Sequence, residues 1–349
     1  MDVNFDLLKR IAEAPGVPGR EDAVRAIVLP ELRALADEVR VDPLGNVIAT
    51  KHGGGPRVMV AAHMDEIGFM VRFIDDNGFI RLQNLGGFDP RVLSAQRVIV
   101  HTHRGDHLRG ALQPASKPIH LLQPDEIKPP KLEDFYVDLG LPVDEARAAV
   151  EVGDMVTLDR TCERVGHTVM SKALVDRLNL FIMIEALRAM GAHDAEIVAV
   201  ATVQEEVGLR GAQTAAFGVD PDVGVALDVT IAGDIPGMEA TSRVSKLGAG
   251  VAIKVFDSSH IPNYKLVRHF RDVAEQHGIP YQLEVLARGG TDAGAMQRSR
   301  AGMPAITISL PTRYLHTVNE MAHVDDIGAA ITLLARYFEV AHTGDYRLG

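Results

Sequence analysis

This chain predicts an α/β fold in which a mainly parallel sheet carries helices on both faces and a small all-β domain is inserted. Three observations carry that prediction. After Lys172, apolar strand-length runs alternate with helix-length segments. The run Val58-Met59-Val60-Ala61-Ala62 is continuously apolar, as a strand buried on both faces of a sheet must be. Between about Gly68 and Gly166 the texture shifts to short alternating strands joined by turns such as Asp76-Asn77-Gly78. The predicted α/β domain is therefore discontinuous, residues 1–67 and 167–349, and the inserted β domain covers 68–166.

Phe5, Leu7, Leu8 and Ile11 suit a short amphipathic helix, which Pro15-Gly16-Val17-Pro18-Gly19 stops. A second helix starts near Glu21, with Val24, Ile27, Val28 and Leu32 on its apolar side and Pro30 as a kink. Strands follow through Val39 and Val41 and through Val47-Ile48-Ala49, joined by the turn Asp42-Pro43-Leu44-Gly45-Asn46. The insert holds strands at Phe69 to Ile74, Phe79 to Leu82, Val98 to His101 and Met155 to Leu158. It also holds a stretch rich in proline and charge, from Gln123 to Lys131. Beyond it come a helix from about Asp176 to Met190, a strand at 196–203, a helix from about 209 and a strand at 223–228. A strand at 250–256, a helix with Pro262 as its first position, strands at 281–286 and 304–309, and a helix from Val324 to Val340 complete the order. No internal repeat or extended low-complexity tract interrupts it.

At 349 residues the chain exceeds what a single core usually serves, in keeping with one large domain and one smaller. Hydrophobic content of 46% and charge of 24% are those of an ordinary soluble globular protein. The net charge of −11 argues against nucleic acid or an anionic membrane as partner. A single cysteine, Cys162, excludes an intrachain disulfide and a cysteine-rich zinc module, and points to a reducing compartment. The start, Met1-Asp2-Val3-Asn4-Phe5-Asp6, lacks the basic-then-apolar layout of a signal peptide, and no apolar run approaches the ~20 residues of a membrane span. A cytoplasmic protein is expected.

In open α/β sheets, function gathers where strands end at their carboxyl edge. Four such places carry chemistry. His63 and Asp65 follow the strand Val58 to Ala62, Glu205 and Glu206 follow the run ending at Gln204, Asp228 ends Val223 to Leu227, and His316 lies just beyond Leu310. Two histidines with several carboxylates suit zinc, cobalt or manganese. In the Glu205-Glu206 pair, diverging side chains allow one carboxylate to hold a metal while the other faces a water as general base. Asp65 is placed to orient either the His63 imidazole or the acid that acts as base. In the insert, His101 and His103 fall on one strand face with His107 nearby, a pattern better read as a solvated or interface face than as a metal site. Gly289-Gly290-Thr291-Asp292 reads as a tight loop near the site, in which Gly290, Thr291 and Asp292 are candidates for shaping substrate binding.

Five motifs then make the chain recognisable. His63-Met64-Asp65-Glu66-Ile67-Gly68, Gln204-Glu205-Glu206-Val207-Gly208, Ala226-Leu227-Asp228-Val229-Thr230, Gly289-Gly290-Thr291-Asp292-Ala293-Gly294 and Tyr314-Leu315-His316-Thr317 closely resemble the M42 family of metallo-aminopeptidases, which includes the tetrahedral (TET) and deblocking aminopeptidases. The resemblance covers nearly the whole chain, including Asp42 to Asn46 and Lys117-Pro118-Ile119-His120-Leu121-Leu122. It implies a zinc-peptidase-like fold and two divalent metal ions per subunit, zinc or cobalt, with manganese also compatible. His63 and Asp228 would bind one, Glu206 and His316 the other. Glu205 would be the general base and Asp65 would support it. It further implies peptide substrates shortened from the N-terminus, dimer contacts through the β insert and a homo-oligomer, commonly a dodecamer. Glucanase activity, attributed to some relatives, is disfavoured: a glycosidase needs two carboxylates flanking a sugar, not histidines in ligand positions.

One position departs from the family pattern. Where the family carries a metal-bridging aspartate in Lys-Ala-Leu-Asp-Asp-Arg, this chain reads Lys172-Ala173-Leu174-Val175-Asp176-Arg177, so Val175 occupies the bridging position. By this alignment each metal keeps two protein ligands, where catalytic zinc usually has three and a water. Weakened metal binding and impaired hydrolysis are expected unless Asp176 substitutes. The alternative is a catalytically weak or inactive homologue with a peptide-binding or assembly role.

Overall fold

A computed structural model describes residues 4–349. The expected catalytic-domain start and the signal-peptide reading fall partly on Met1 to Val3, outside the described residues. The chain begins with α1 (Phe5–Glu13) and α2 (Asp22–Arg33), then β1 (Glu38–Val41), β2 (Val47–Lys51) and β3 (Arg57–His63). The insert supplies β4 (Gly68–Ile74), β5 (Ile80–Leu85), β6 (Gln96–His101), β7 (His107–Pro114), β8 (Phe135–Asp138), a short helix α3 (Val143–Ala149) and β9 (Met155–Leu158). There follow β10 (Glu163–Val165), β11 (Thr168–Ser171), α4 (Leu174–Ala189), β12 (Glu196–Thr202), α5 (Arg210–Val219) and β13 (Val223–Ile231). The chain closes with β14 (Val251–Phe256), α6 (Tyr264–Gln276), β15 (Tyr281–Val285), α7 (Asp292–Gln297), β16 (Ala305–Arg313), β17 (Glu320–His323) and α8 (Val324–Val340).

Among the described residues, eleven strands form one mixed sheet. Its centre is parallel: β12 pairs with β3, β3 with β13 and β13 with β16. Its flanks are antiparallel, with β1 and β2 on one side and β17, β11 and β10 on the other. Beyond β16, β14 runs antiparallel to it and β15 parallel to β14. Although Glu163–Val165 lies within 68–166, it pairs with β11 in this sheet, so the insert's own strands run from Gly68 to Leu158.

The central strands show why their sequences lack polar alternation. Val58, Val60 and Ala62 of β3, with Ile197, Ala199 and Ala201 of β12, face a large core beneath α1, α2, α4 and α8. Met59 and Ala61, with Val198 and Val200, face a smaller core beneath α5 and α7. Helix α4 is buried from Leu178 to Ile184 because it packs on the sheet and also meets α1 and α8.

The insert closes into a six-stranded barrel, in the order β4-β5-β8-β7-β6-β9, around Phe69, Val71, Ile80, Val98, Val100 and Val156. Val318, from the turn between β16 and β17, joins that same apolar cluster, and Phe88 stacks on Phe69 at 4.5 Å between ring centroids. The barrel is thereby tied to the carboxyl edge of the large sheet. Two expectations change. Helix α6 starts at Tyr264 rather than Pro262, because the Asn263 side chain accepts the Lys265 and Leu266 N–H groups as its cap. Strand β6 ends at His101, so His103 sits in the following turn; the cross-strand partner of His101 is His107, with the two Nδ1 atoms 2.9 Å apart.

Candidate metal centre

Parallel register aligns the strand ends that carry chemistry. Thr202 at the end of β12 lies opposite His63 at the end of β3, and β13 pairs with β3 as far as Ala226 opposite Ala61. Asp228, two residues further, therefore projects at the level of His63.

Asp65 organises the segment beyond β12. Its Oδ1 accepts the Glu205 N–H and its Oδ2 the Glu206 N–H, both at 3.0 Å. Gln204, at φ 56°, turns the pair out of the strand direction. The Asp65 carbonyl also lies 2.9 Å from His63 Nδ1, which must donate to it. In the neutral ring the free lone pair of His63 then resides on Nε2, which is buried without a hydrogen-bond partner among the described residues, 3.8 Å from Glu205 Oε2. Asp65 thus contacts both segments between which the sequence did not choose, the His63 ring through its carbonyl and the Glu205-Glu206 backbone through its carboxylate.

His316 follows the same logic. Nδ1 meets the Gly87 carbonyl at 2.7 Å, and Nε2 stands 3.7 Å from Glu206 Oε1, itself buried and unpartnered. Gly87 belongs to the segment after β5, so the barrel's chain fixes this ring. Asp176 is fully buried: Oδ2 accepts the His63 N–H at 3.2 Å and Oδ1 the Asn179 side-chain amide at 2.6 Å. Donor atoms of His63, Asp176 and Asp228 all lie within 4.8 Å of one another, as do those of His63, Glu205 and Glu206. Val175 lines the cavity with an apolar side chain and contributes no donor there.

The start of α4 is held rigidly. Arg177, with no exposed surface, donates to the carbonyls of Ile11 and Ala14 at 2.8 and 2.9 Å, and Lys172 Nζ meets Glu66 Oε2 at 2.6 Å. Glu320 was invisible in the sequence reading. Its Oε1 accepts the His316 N–H at 2.8 Å and its Oε2 the Val175 N–H at 3.1 Å, so one buried carboxyl joins the His316 turn to α4. A glutamate four residues after a candidate ligand was the one available signal.

The electrostatics are those of crowded acids. Burial first, and then the Asp65, Asp228 and Glu320 charges against the pull of His63, raise Glu206 to about 8. Burial raises Asp228 to about 6, with His63 and Lys254 opposing, and Asp292 to about 7, against its hydrogen bond from Thr202. Glu205 and Asp176 are pushed well above the carboxylate range, chiefly by burial. His63 is raised although burial opposes it, by Glu205, Asp65 and Asp176. Burial lowers His316, keeping its ring neutral. Orphaned buried acceptors in a ring of mutually repelling carboxyls are what a cation relieves, so the residues present fit a divalent metal.

The cavity over this group has a volume of about 760 Å³ and takes Phe88 and Asp89 from the segment after β5 and Leu286, Arg288, Gly289 and Gly290 from the turn after β15. Of the three loop candidates, Gly290 lines the cavity. Thr291 and Asp292 are buried behind it; Asp292 Oδ2 accepts the Thr202 hydroxyl at 2.6 Å, and Thr291 meets Thr307 at 2.7 Å. His101 and His107 lie in the barrel and His103 beside Glu151 and Asp154, away from this group.

The family model described as M42 glutamyl aminopeptidase matches residues 45–333. A lysyl aminopeptidase of Pyrococcus furiosus is 38% identical over 353 residues, covering 99% of each chain. A glutamyl aminopeptidase of Lactococcus lactis is 32% identical, covering 95% of this chain and 94% of its own. Among solved structures, a TET aminopeptidase of the archaeon Thaumarchaeota archaeon SCGC AB-539-E09 superposes with a TM-score of 0.92 at 39% identity, covering 96% and 95% of the two chains. The TET1 peptidase of Pyrococcus horikoshii, described as assembling into a tetrahedron or a large octahedral shell, gives 0.85 at 31% identity over 96% and 98%.

Proposed function

Because the chain belongs to the M42 aminopeptidase family of hydrolases, we propose that it removes N-terminal residues from peptides in a metal-dependent reaction with Glu205 as general base. The observation that carries this reading is the convergence of His63 Nε2 and Glu206 Oε1, both buried and unpartnered, beside the Glu205 carboxylate. His63 and Asp228 would hold one cation, and Glu206 and His316 the other. When bound, zinc, cobalt or manganese supplies Lewis acidity that polarises a peptide carbonyl and acidifies water. Glu205 removes a proton from the attacking water and hands it to the departing amine, while Asp65 holds the backbone of the base and its neighbour in place.

Val175 sets the limit on this chemistry. Asp176 adds a carboxylate to the His63 and Asp228 side, giving three protein groups there, whereas among the described residues the further carboxylate beside Glu206 is Glu205, which this reading reserves as the base. The second cation would therefore be held by two protein groups, fewer than catalytic zinc normally has, and turnover would be reduced accordingly. The same observation supports the second reading, a weakly active homologue that binds peptides or serves in assembly.

Chromogenic amino-acid amides assayed with zinc, cobalt and manganese test the proposal. Hydrolysis with at least one metal supports it, and no turnover of any amide with any metal removes it in favour of the second reading. Solved relatives form shells and a dodecamer, and we extend a homo-oligomer, dimeric through the barrel and dodecameric overall, to this chain. Among the described residues no helix is long and apolar enough to cross a membrane, and the charge of −11 disfavours nucleic acid as partner. A cytoplasmic setting, inferred from the lone Cys162, belongs to the same proposal.

A further inference from the structure

One permanent cation stands in the wall of the cavity, and the reading above leaves it unused. Arg288 lies in the turn from β15 to α7, exposed, and makes no hydrogen bond or ion pair with any described residue. Its backbone is nonetheless fixed. Leu286 N–H donates to the Phe256 carbonyl at 3.0 Å, Ser258 donates to the Gly289 carbonyl through both N–H and hydroxyl, and Thr291 N–H donates to Ser259 Oγ at 3.3 Å. Gly289, at φ +105°, closes the turn in a conformation that side chains disfavour.

The other charges in the wall are already engaged. Asp89 is held by Arg91, with Nη2 2.5 Å from Oδ2. Glu206, Asp228, His63 and His316 are assigned to cations, and Glu205 to the proton. An anchored loop that carries a free guanidinium to the cavity leaves a planar fork suited to a carboxylate brought in by the substrate.

We propose that Arg288 receives a carboxylate of the substrate and biases the site toward peptides that present one. This rests on the aminopeptidase reading and adds what family membership leaves open, the charge of the favoured peptide. Two carboxylates can reach such a group: an acidic side chain on the N-terminal residue, or the C-terminus of a short peptide.

The test uses the full chain loaded with metal, as wild type, Arg288→Ala and Arg288→Lys. Values of kcat/KM are compared for glutamyl and leucyl 4-nitroanilides, and for alanyl-alanine and its C-terminal amide. If Arg288 takes the side chain, the glutamyl-to-leucyl ratio falls at least about tenfold in Arg288→Ala and partly returns in Arg288→Lys. If it takes the C-terminus, the dipeptide-to-amide ratio falls instead. Both ratios within about twofold of wild type would overturn the proposal. Should the wild type cleave none of these substrates, the full amide series decides the aminopeptidase reading separately, and calorimetry decides the role of Arg288. Binding of glutamic acid α-amide, measured against leucinamide, weakens at least about tenfold in Arg288→Ala if the proposal holds and does not change if it is wrong.

Discussion

Val175 places an isopropyl group in a wall otherwise crowded with acids, and its effect is best judged by what an aspartate would do there. Without cations a further carboxylate beside Asp228, Glu205 and Glu206 adds repulsion; with cations it supplies a ligand and offsets their mutual charge. Val175→Asp should therefore tighten the weaker metal by at least about tenfold and raise kcat/KM by a similar factor, while lowering the stability of the metal-free protein. Metal content by mass spectrometry, amide hydrolysis and urea unfolding with and without chelator check the three parts; unchanged metal binding would show that the valine is not the limiting residue. His63, Glu205, Glu206, Asp228 and His316 were legible in the sequence because each ends or follows an apolar run, where a polar side chain stands out. The part Asp176 plays was less legible, since its approach to His63 depends on how Arg177 and Lys172 pin the start of α4 to distant backbone and to Glu66. Arg288 gave no signal at all, being one arginine in an irregular turn.

Strand β17 and the barrel show how neighbouring elements hold the site. Glu320 accepts backbone N–H groups through both carboxyl oxygens, from the His316 turn and from α4. In Glu320→Gln one oxygen becomes an amide donor facing another donor, leaving a buried N–H unsatisfied at a cost of about 1–3 kcal/mol. Metal affinity should fall by roughly 10- to 100-fold as His316 loosens, read by chelator competition, and an unchanged affinity would confine Glu320 to a structural part. The barrel has a pH sensitivity of its own. His101 is held at about 4, below its ordinary 6.5, by burial first and then by His107 and Lys172. The unfolded chain therefore takes up this proton before the folded one does, so the barrel keeps its full stability above about pH 6.5 and loses it as pH falls toward 4. The loss is at most about 3 kcal/mol from this group, and His101→Gln should flatten the stability profile over that window. Most strands were readable from apolar runs and turns. Helices α3 and α7 were not, because seven and six residues are too few to display a helical period, and the start of α6 was misread because a proline masked the Asn263 cap beside it.

The molecule combines a mixed sheet, whose parallel centre brings distant strand ends to one edge, with a barrel that closes over that edge. The alternation of strands and helices made the α/β class legible, and the change of texture after Ile67 marked the insert. What the sequence could not display was pairing between segments far apart: β14 runs antiparallel to β16, and Glu163–Val165 rejoins the large sheet. Nor could it show the barrel reaching the site through the Gly87 carbonyl and through Val318. The central claim is stepwise hydrolysis from a free N-terminus by a metal-dependent site with Glu205 as base. It is tested most directly by incubating an unstructured peptide with the metal-loaded protein and following it by mass spectrometry. The account predicts a ladder of products each one N-terminal residue shorter, absent for the N-acetylated peptide and slowed at least about a hundredfold by Glu205→Gln. A peptide left intact with zinc, cobalt and manganese alike, or shortened equally fast by Glu205→Gln, would contradict it.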